Sequence, residues 1–441
     1  MHRMRLFAML LAGLAMGASL RDGAAEALSL DAAVLTALEQ NPELKAMQQD
    51  AAAAKAQSKQ SRFWDDPMVG VRFYQVPLGK NLDKAMDIDY IVAQKFPFPG
   101  KVKAASEIAY HNYLHHLELL SGRGRELLRE LKETYYRLHA VQQRIAVTRQ
   151  VEGRLRGMVQ AAQARLAANQ TPAVDAVQGQ TEIAKLLGER EVMRQEAKTL
   201  EAKLNQLMAR PVDAEIRLPA KLAIPDWSAD LAALQEAAVR FHPNMRSARH
   251  RIEEKHWAVK AAKREYYPDF NAQLEYVQRP GATEDAFTGE LMINLPLIVG
   301  KKRQGVKQAE AEYAGATYSE QAARNQVAFR VQEVFQKWQS AERLMRINRG
   351  TLLPQARQAL EISANAYVAG KSYFLDVLNA ARGLLDAQME YWKAYENLAV
   401  AMAELEEAVG QTREEFLAAK GEANVKSFDV EKTIGAEVET K

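Results

Sequence analysis

Two hydrophobic periods alternate along the chain, and the alternation happens twice. In residues 68–76, Val69, Val71 and Phe73 fall on one side, with Arg72 and Tyr74 on the other. In residues 87–96, Ile88, Tyr90, Val92 and Phe96 oppose Asp87, Asp89 and Lys95. A period of two marks half-buried strands, and the polar loop at 78–83 joins them as a hairpin. The pattern then changes across Gln94-Lys95-Phe96-Pro97-Phe98-Pro99-Gly100-Lys101. Pro97 and Pro99 cannot continue a strand ladder, and Gly100 permits a turn into a helix. From Lys101 to Ala168 there is no proline. Leu131, Leu138 and Ile145 recur at sevens with Leu127 and Tyr135 between them, as in a coiled coil, with Gly122 and Gly124 as a weak point. The spacing also predicts helices over 30–39 and 42–65 ahead of the hairpin. The break Asn169-Gln170-Thr171-Pro172 comes next, then a return helix over 173–208 and a connector marked by Pro211, Pro219 and Pro225.

The same programme restarts near Leu231. His242-Pro243 echoes Asn41-Pro42, and Pro268 echoes Pro67. A second hairpin over 269–296 sets Phe270, Ala272, Leu274 and Tyr276 against Asn271, Gln273 and Glu275. It also sets Phe287, Gly289, Leu291 and Ile293 against Thr288 and Glu290. Pro296 and Gly300 repeat the junction, a long helix is expected over 301–369, and a return helix over 374–408. Gly370 matches Asn169, and Asp376 matches Asp175. An offset of about 200 residues held across strands, prolines and helix breaks means two homologous halves, 28–229 and 230–410, rather than a short-unit solenoid. Residues 411–441 are charged and aperiodic and are expected to form a loose tail.

Composition changes this picture little. A net charge of +3 over 441 residues gives no reason to expect nucleic acid. The absence of cysteine excludes disulfides, thiolate metal sites and a lipid-modified N-terminal cysteine. The N-terminus is more telling. His2, Arg3 and Arg5 precede an apolar run, and Ala25-Glu26-Ala27 is a cleavage pattern, so residues 1–27 are expected to be a secretory signal.

Each strand is the length that crosses a bilayer at a tilt. Val69, Val71, Phe73, Phe270, Leu274, Tyr276, Leu291 and Ile293 would then face lipid. Four strands cannot close a barrel, and open edges are not tolerated in hydrocarbon, so several chains must pool their strands; three would give twelve. A water-filled lumen would solvate Asp87, Asp89, Glu275 and Glu290, for which the sequence offers no evident partners. A small soluble sheet is the other reading of these hairpins. The helix preceding each hairpin and the return helix together match the long helix in length. They can stack end to end beside it to give a rod about 100 Å long.

With these features assembled, the chain resembles the TolC-type outer membrane efflux proteins over about Leu28 to Gly410. The most specific part is Ala366-Tyr367-Val368-Ala369-Gly370 followed by Leu375-Asp376-Val377-Leu378-Asn379-Ala380. The resemblance implies a homotrimer: a 12-stranded β-barrel in the outer membrane, continuous with a 12-helix tube in the periplasm. It implies a periplasmic adaptor and an inner-membrane efflux transporter as partners, and no catalysis or cofactor. The helix breaks would form a periplasmic mouth, closed at rest, with Asp376 as one of three symmetric carboxylates that bind cations and repel anions. Tyr367 would belong to the contacts that hold the mouth shut. Asn379 stands where a second acid is frequent, and Asn169 where glycine is usual, although asparagine tolerates a left-handed turn. Asp376 would also suit the first turn of a helix. Pro99-Gly100-Lys101 and Asp66-Pro67 look most like the branch serving cation and heavy-metal exporters; drug efflux and polypeptide secretion are the alternatives.

His111 and His115, four apart with His116 beside them, suggest a metal pair, but a third ligand is missing and a solvated helix face accounts for them. No phosphate-binding, dinucleotide or nucleophile-elbow motif is present. The rival from another class is a soluble periplasmic coiled-coil adaptor or scaffold.

Overall fold

The computed structural model describes residues 27–168, 173–224, 227, 230–280 and 284–419. The expected signal segment therefore lies outside the described residues except for Ala27, and so do Asn169, Pro225 and the tail beyond Ala419. Each half opens with a short helix and a second helix that begins on proline: α1 (Leu30–Gln40) and α2 (Pro42–Gln60), then α5 (Leu231–Phe241) and α6 (Pro243–Arg264). Strands β1 (Met68–Tyr74) and β2 (Asp87–Phe96) follow α2, and β3 (Phe270–Gln278) and β4 (Ala286–Ile293) follow α6. The long helix of the first half is α3 (Lys101–Ala167), and α4 (Ala173–Leu207) returns from it. In the second half α7 (Val299–Ile347) passes through one π-helical turn (Asn348–Leu352) into α8 (Leu353–Val368), and α9 (Phe374–Val409) returns.

Several boundaries differ from the sequence expectation, each for a local reason. Helix α2 ends at Gln60 rather than Asp65, with Ser61 accepting the role of C-cap. Gly122 and Gly124 do not break α3, and a Cβ on Gly122 would make an ordinary contact with Pro243 of α6 at 3.6 Å. The second long helix is not uniform. The Leu353 amide donates to the Asn348 carbonyl five residues back, a wider turn placed directly before Pro354, which has no amide hydrogen to offer. The tail is not loose at its start. Residues Arg413–Ala419 form α10, and Phe416 is buried against Trp227 with ring centroids 5.3 Å apart.

The long helices organise the rest. Helix α3 packs against α2 and α4 on one flank and α6 and α9 on the other, while α7 packs against α6 and α9. End-to-end stacking is visible directly. The Asn41 side chain caps α2 by accepting from the Glu43 amide (2.9 Å) and donates to the Leu207 carbonyl at the end of α4 (3.3 Å). In the second half the end of α9 meets the start of α6: a Cβ on Gly410 would lie 2.6 Å from the His242 Cα. The heptad residues are core, with Leu127, Leu131, Tyr135 and Leu138 all buried. Ion pairs tie the same level together, Arg125 to Glu415 (3.2 Å) and Lys132 to Glu406.

The four strands form one antiparallel sheet in the order β1-β2-β3-β4. Val69, Val92, Leu274 and Gly289 line up across it, as do Val71, Tyr90, Tyr276 and Phe287. Every expected lipid-side residue thus lies on one face, and that face is bare: Val69 is 77% exposed and Leu291 68%. The other face carries the charges and is the more enclosed, with Asp89 only 5% and Glu275 8% exposed. These acids are not without partners: Arg72 reaches Asp89 (3.6 Å) and Glu275 (2.9 Å), and Arg279 reaches Asp87 (3.8 Å). Cross-strand register brings them together.

The two junctions are built differently. Gly100 has φ of +89°, in the left-handed region, and a Cβ there would sit 1.7 Å from the Arg264 guanidinium. Arg264 donates to the Pro99 carbonyl (2.7 Å), the Phe98 amide donates to Asp269 (2.9 Å), and Lys101 pairs with the same carboxylate (2.9 Å). Phe98 stacks on Tyr267 at 4.5 Å. Gly300, expected to make the equivalent turn, lies inside α7 with open space around it.

The histidines do not sit on a solvated face. His111 and His115 of α3 lie in the α3–α6 contact, His111 with its ring 6.0 Å from that of His250, and His115 with Nδ1 2.7 Å from the Ser247 hydroxyl. Arg246 and His250 approach Glu118 (2.7 and 4.0 Å). Burial, then the charges of Arg251, His116 and His250, lower His115 to about 4. Burial, then Arg125 and Arg246, lower His242 to about 4. His242 caps α6 by accepting from the Asn244 amide at Nδ1 (3.1 Å), a contact only the neutral ring can make.

Gly100→Ala is expected to lower stability by about 2 kcal/mol, from the left-handed strain and the displaced Arg264, whereas Gly300→Ala leaves the thermal midpoint unchanged or slightly higher. Circular-dichroism melts of the purified protein check both. The histidines give a pH dependence with a definite sign. Their folded-state values lie below the ordinary 6.5, so the unfolded chain binds protons first and stability falls as pH drops from about 6.5 toward about 4. His242→Asn, which installs the cap used at Asn41, should make the melting midpoint less sensitive between pH 7 and pH 5 than wild type.

Candidate functional site at the helix tips

The helix ends remote from the sheet hold the residues that the sequence singles out as a gate. Helix α8 stops in a tight reversal. Gly370 has φ of +71°, its amide bonds the Tyr367 carbonyl (3.0 Å), and the Lys371 amide bonds the Ala366 carbonyl (2.8 Å). This double closure satisfies two carbonyls that the helix end would leave open, and it uses a glycine because a Cβ opposes positive φ. The chain then enters α9 with Asp376 in its first turn. The Asp376 carboxylate accepts from the Tyr373 amide (3.0 Å) and remains exposed, as does Asn379. Asp376 therefore serves the helix start whatever else it does. Asp175 holds the same first-turn position on α4 and is half-buried. Asn169, the counterpart of Gly370 in the repeat, lies outside the described residues.

Tyr367 is buried, 8% exposed, with its ring 5.8 Å from Phe374. Arg165, near the end of α3, covers the other side of that ring at 4.8 Å and donates to the carbonyls of Tyr367 and Val368 (3.0 Å each). One guanidinium thus caps the end of α8 and clamps it to the end of α3. The Tyr367 hydroxyl is buried and has no hydrogen-bond partner among the described residues.

Sequence reasoning did not single out Arg165, Gly179 or the pair Glu182–Arg382. A Cβ on Gly179 would lie 2.3 Å from Val159 and 3.2 Å from Phe374, so this glycine sets how closely α4 can approach the tip of the bundle. Glycine inside a helical pattern was the available signal. Arg382 of α9 pairs with Glu182 of α4, and its hydrogen bond holds the Glu182 carboxyl below the usual range against the opposing effect of burial. Glu152 of α3 is gripped by Arg156 (2.6 Å) and by Arg190 of α4. The tip is a set of clamps between helices.

Among the described residues no group of side chains is placed to hold a metal ion, and no helix is long and apolar enough to cross a membrane.

A family model for outer membrane efflux proteins matches residues 233–411. No curated protein matches the chain in sequence. Among solved structures, the fold is similar to the outer membrane protein VceC of Vibrio cholerae (20% identity, 87% of this chain and 97% of that one, TM-score 0.72). It is similar also to the Campylobacter jejuni CmeC outer membrane channel (12% identity, 93% and 89% covered, TM-score 0.74). A third likeness is to the open state of the Neisseria gonorrhoeae MtrE outer membrane channel (16% identity, 87% and 90% covered, TM-score 0.74). Residues 233–411 thus carry the match to the outer membrane efflux protein model, and the chain as a whole takes the fold of these outer membrane channels.

Proposed function

We propose that the chain is one protomer of an outer membrane efflux channel, a passive exit duct for solute delivered by an inner-membrane transporter through a periplasmic adaptor. The observation that carries this reading is the coincidence of open edges. The sheet ends in unpaired strands β1 and β4. In the helical layer the end elements are α2 with α4 on one flank and α7 with α8 on the other. Helix α2 leads into β1, and β4 leads into α7, so both layers are open at the same two flanks. A single rotation that sets the β4–α7 flank of one copy on the β1–α2 flank of the next closes both layers at once. Such head-to-tail contacts end in a ring when the rotation closes. Three copies give twelve strands, enough for a barrel with an aqueous lumen, the bare face toward lipid and the Arg72–Asp89–Glu275 face toward water.

In this arrangement the helix tips surround the periplasmic mouth. Three Asp376 carboxylates and three Asn379 amides face one another there, a single acidic ring rather than a double one. Arg165 is the latch: separating the α8 tip from the α3 tip breaks two hydrogen bonds and a ring contact together. The cargo we infer is a metal cation, on the strength of the Pro99-Gly100-Lys101 and Asp66-Pro67 signatures, with selection exerted by the transporter.

Arg165→Ala should shift the closed-to-open ratio of single channels in planar bilayers by about tenfold toward open, the loss of two charge-assisted hydrogen bonds. An unchanged closed-to-open ratio would remove Arg165 from the gate. Asp376→Asn keeps an acceptor for the Tyr373 amide and deletes the charge, so it should weaken block by divalent cations with little loss of stability. A deletion strain should become sensitive to transition-metal salts and not to dyes or detergents; the reverse pattern would assign the duct to a drug pump.

A further inference from the structure

The strand-to-helix junctions carry exposed apolar side chains and unpaired cations that neither the barrel nor the gate uses. On the β1 side, Phe63 and Trp64 are exposed, 76% and 57%, and follow Lys59 and Arg62 directly. Trp64 lies edge-on to Phe96 at 5.2 Å. Phe96 is in register with Phe270, and Phe270 with Ile293, so Trp64 sits at the lower rim of the apolar face. On the β4 side, Leu295 and Leu297 continue the odd-numbered alternation of that face. Leu297 and Ile298, 80% and 73% exposed, are followed after two intervening residues by Lys301, Lys302 and Arg303.

Most basic residues near the junctions are engaged. Lys101 pairs with Asp269, Lys302 with Glu265, Lys263 with Glu310, and Arg264 with the Pro99 carbonyl. Lys59, Arg62, Lys301 and Arg303 are exposed and have no carboxylate within salt-bridge reach among the described residues. Aromatic and aliphatic side chains at a membrane rim, with cations one turn further into water, form the arrangement that seats a protein at a headgroup layer. Their place at the helix end of the sheet puts them at the leaflet facing the helical tube.

We propose that Lys59, Arg62, Lys301 and Arg303, with Phe63, Trp64, Leu297 and Ile298, form a collar that binds the headgroups of anionic phospholipid in the tube-side leaflet. This rests on the channel reading above. Charge complementarity selects the occupant: the cations need an anion, and the apolar residues beside them need acyl chains, which one phospholipid supplies together. In a closed ring the β1-side and β4-side clusters of neighbouring copies come side by side, so each collar site is completed by two protomers.

The test uses the full-length protein reconstituted in phosphatidylcholine vesicles with and without phosphatidylglycerol, with retained lipid counted by native mass spectrometry after detergent extraction. Wild type should retain phosphatidylglycerol over phosphatidylcholine. The combined variant Lys59→Gln, Arg62→Gln, Lys301→Gln, Arg303→Gln should lose that preference by about tenfold or more while remaining an oligomer. Lys80→Gln with Lys84→Gln, in the loop at the opposite end of the sheet, should keep it. Equal retention of the two lipids by wild type, or an equal loss in the loop variant, overturns the collar. A collar variant that falls apart into single chains also overturns it, and reassigns the cations to Asp65 and Asp66 of the neighbouring copy. A wild-type chain that enters neither vesicle overturns the channel reading itself, and is recognised by remaining in the aqueous phase.

Discussion

Backbone hydrogen bonds that one chain cannot make for itself govern this structure. Strands β1 and β4 each leave a row of amide and carbonyl groups without partners, and the sheet between them shows an apolar face to its surroundings. In water such a sheet would be an aggregation site; in lipid its edges would be intolerable. Further copies of the same sheet, edge to edge, remove both problems. The long helices then matter as the continuation of that closure, because the elements that flank the sheet edges also flank the helical layer.

The duplication supplies the skeleton, and the two halves fit it out differently. Each starts its second helix on proline, but Asn41 caps one and a half-buried, neutral His242 caps the other. Each turns from strand to helix after two prolines or one. Only the first junction bends at a left-handed glycine, held by Arg264, Asp269 and Lys101. Helix α3 runs unbroken, whereas its counterpart widens into a π turn ahead of Pro354. One half has a plain long helix and the other one with a built-in irregularity, and Arg165 joins their tips.

Much of the fold was legible because it rests on period and punctuation. The switch from a two-residue to a helical period, and the breaks at Pro172 and Gly370, set the elements to within a residue or two: α3 ends at Ala167, and α4 spans Ala173–Leu207. What was not legible depends on contacts across elements. Arg72 belongs with Asp89 and Glu275 only once the strand register is known. His111 and His115 read as surface residues until α6 is laid against α3. Gly300 is followed by a lysine as Gly100 is, yet lies inside a helix. Whether a glycine makes a turn depends on where the preceding strand ends, and β4 ends three residues before Pro296. At the tip, the glycine and the acid could be read from a local motif. Arg165, which clamps Tyr367 and Val368 just before them, comes from about 200 residues earlier, and nothing near it in sequence marks it.

The absence of native cysteine makes the central claim directly testable. Cysteines introduced in pairs, one on β1 and one on β4, sit on opposite edges of the sheet, about 14 Å apart within one chain and beyond the reach of a disulfide. Oxidation of the membrane-embedded protein should therefore link chains, with a pair in the correct register giving a covalent species three chains in size and no larger. A chain that stays monomeric with both thiols free across the whole series of registers, in protein shown to be in the outer membrane, would contradict closure of the sheet by its own copies.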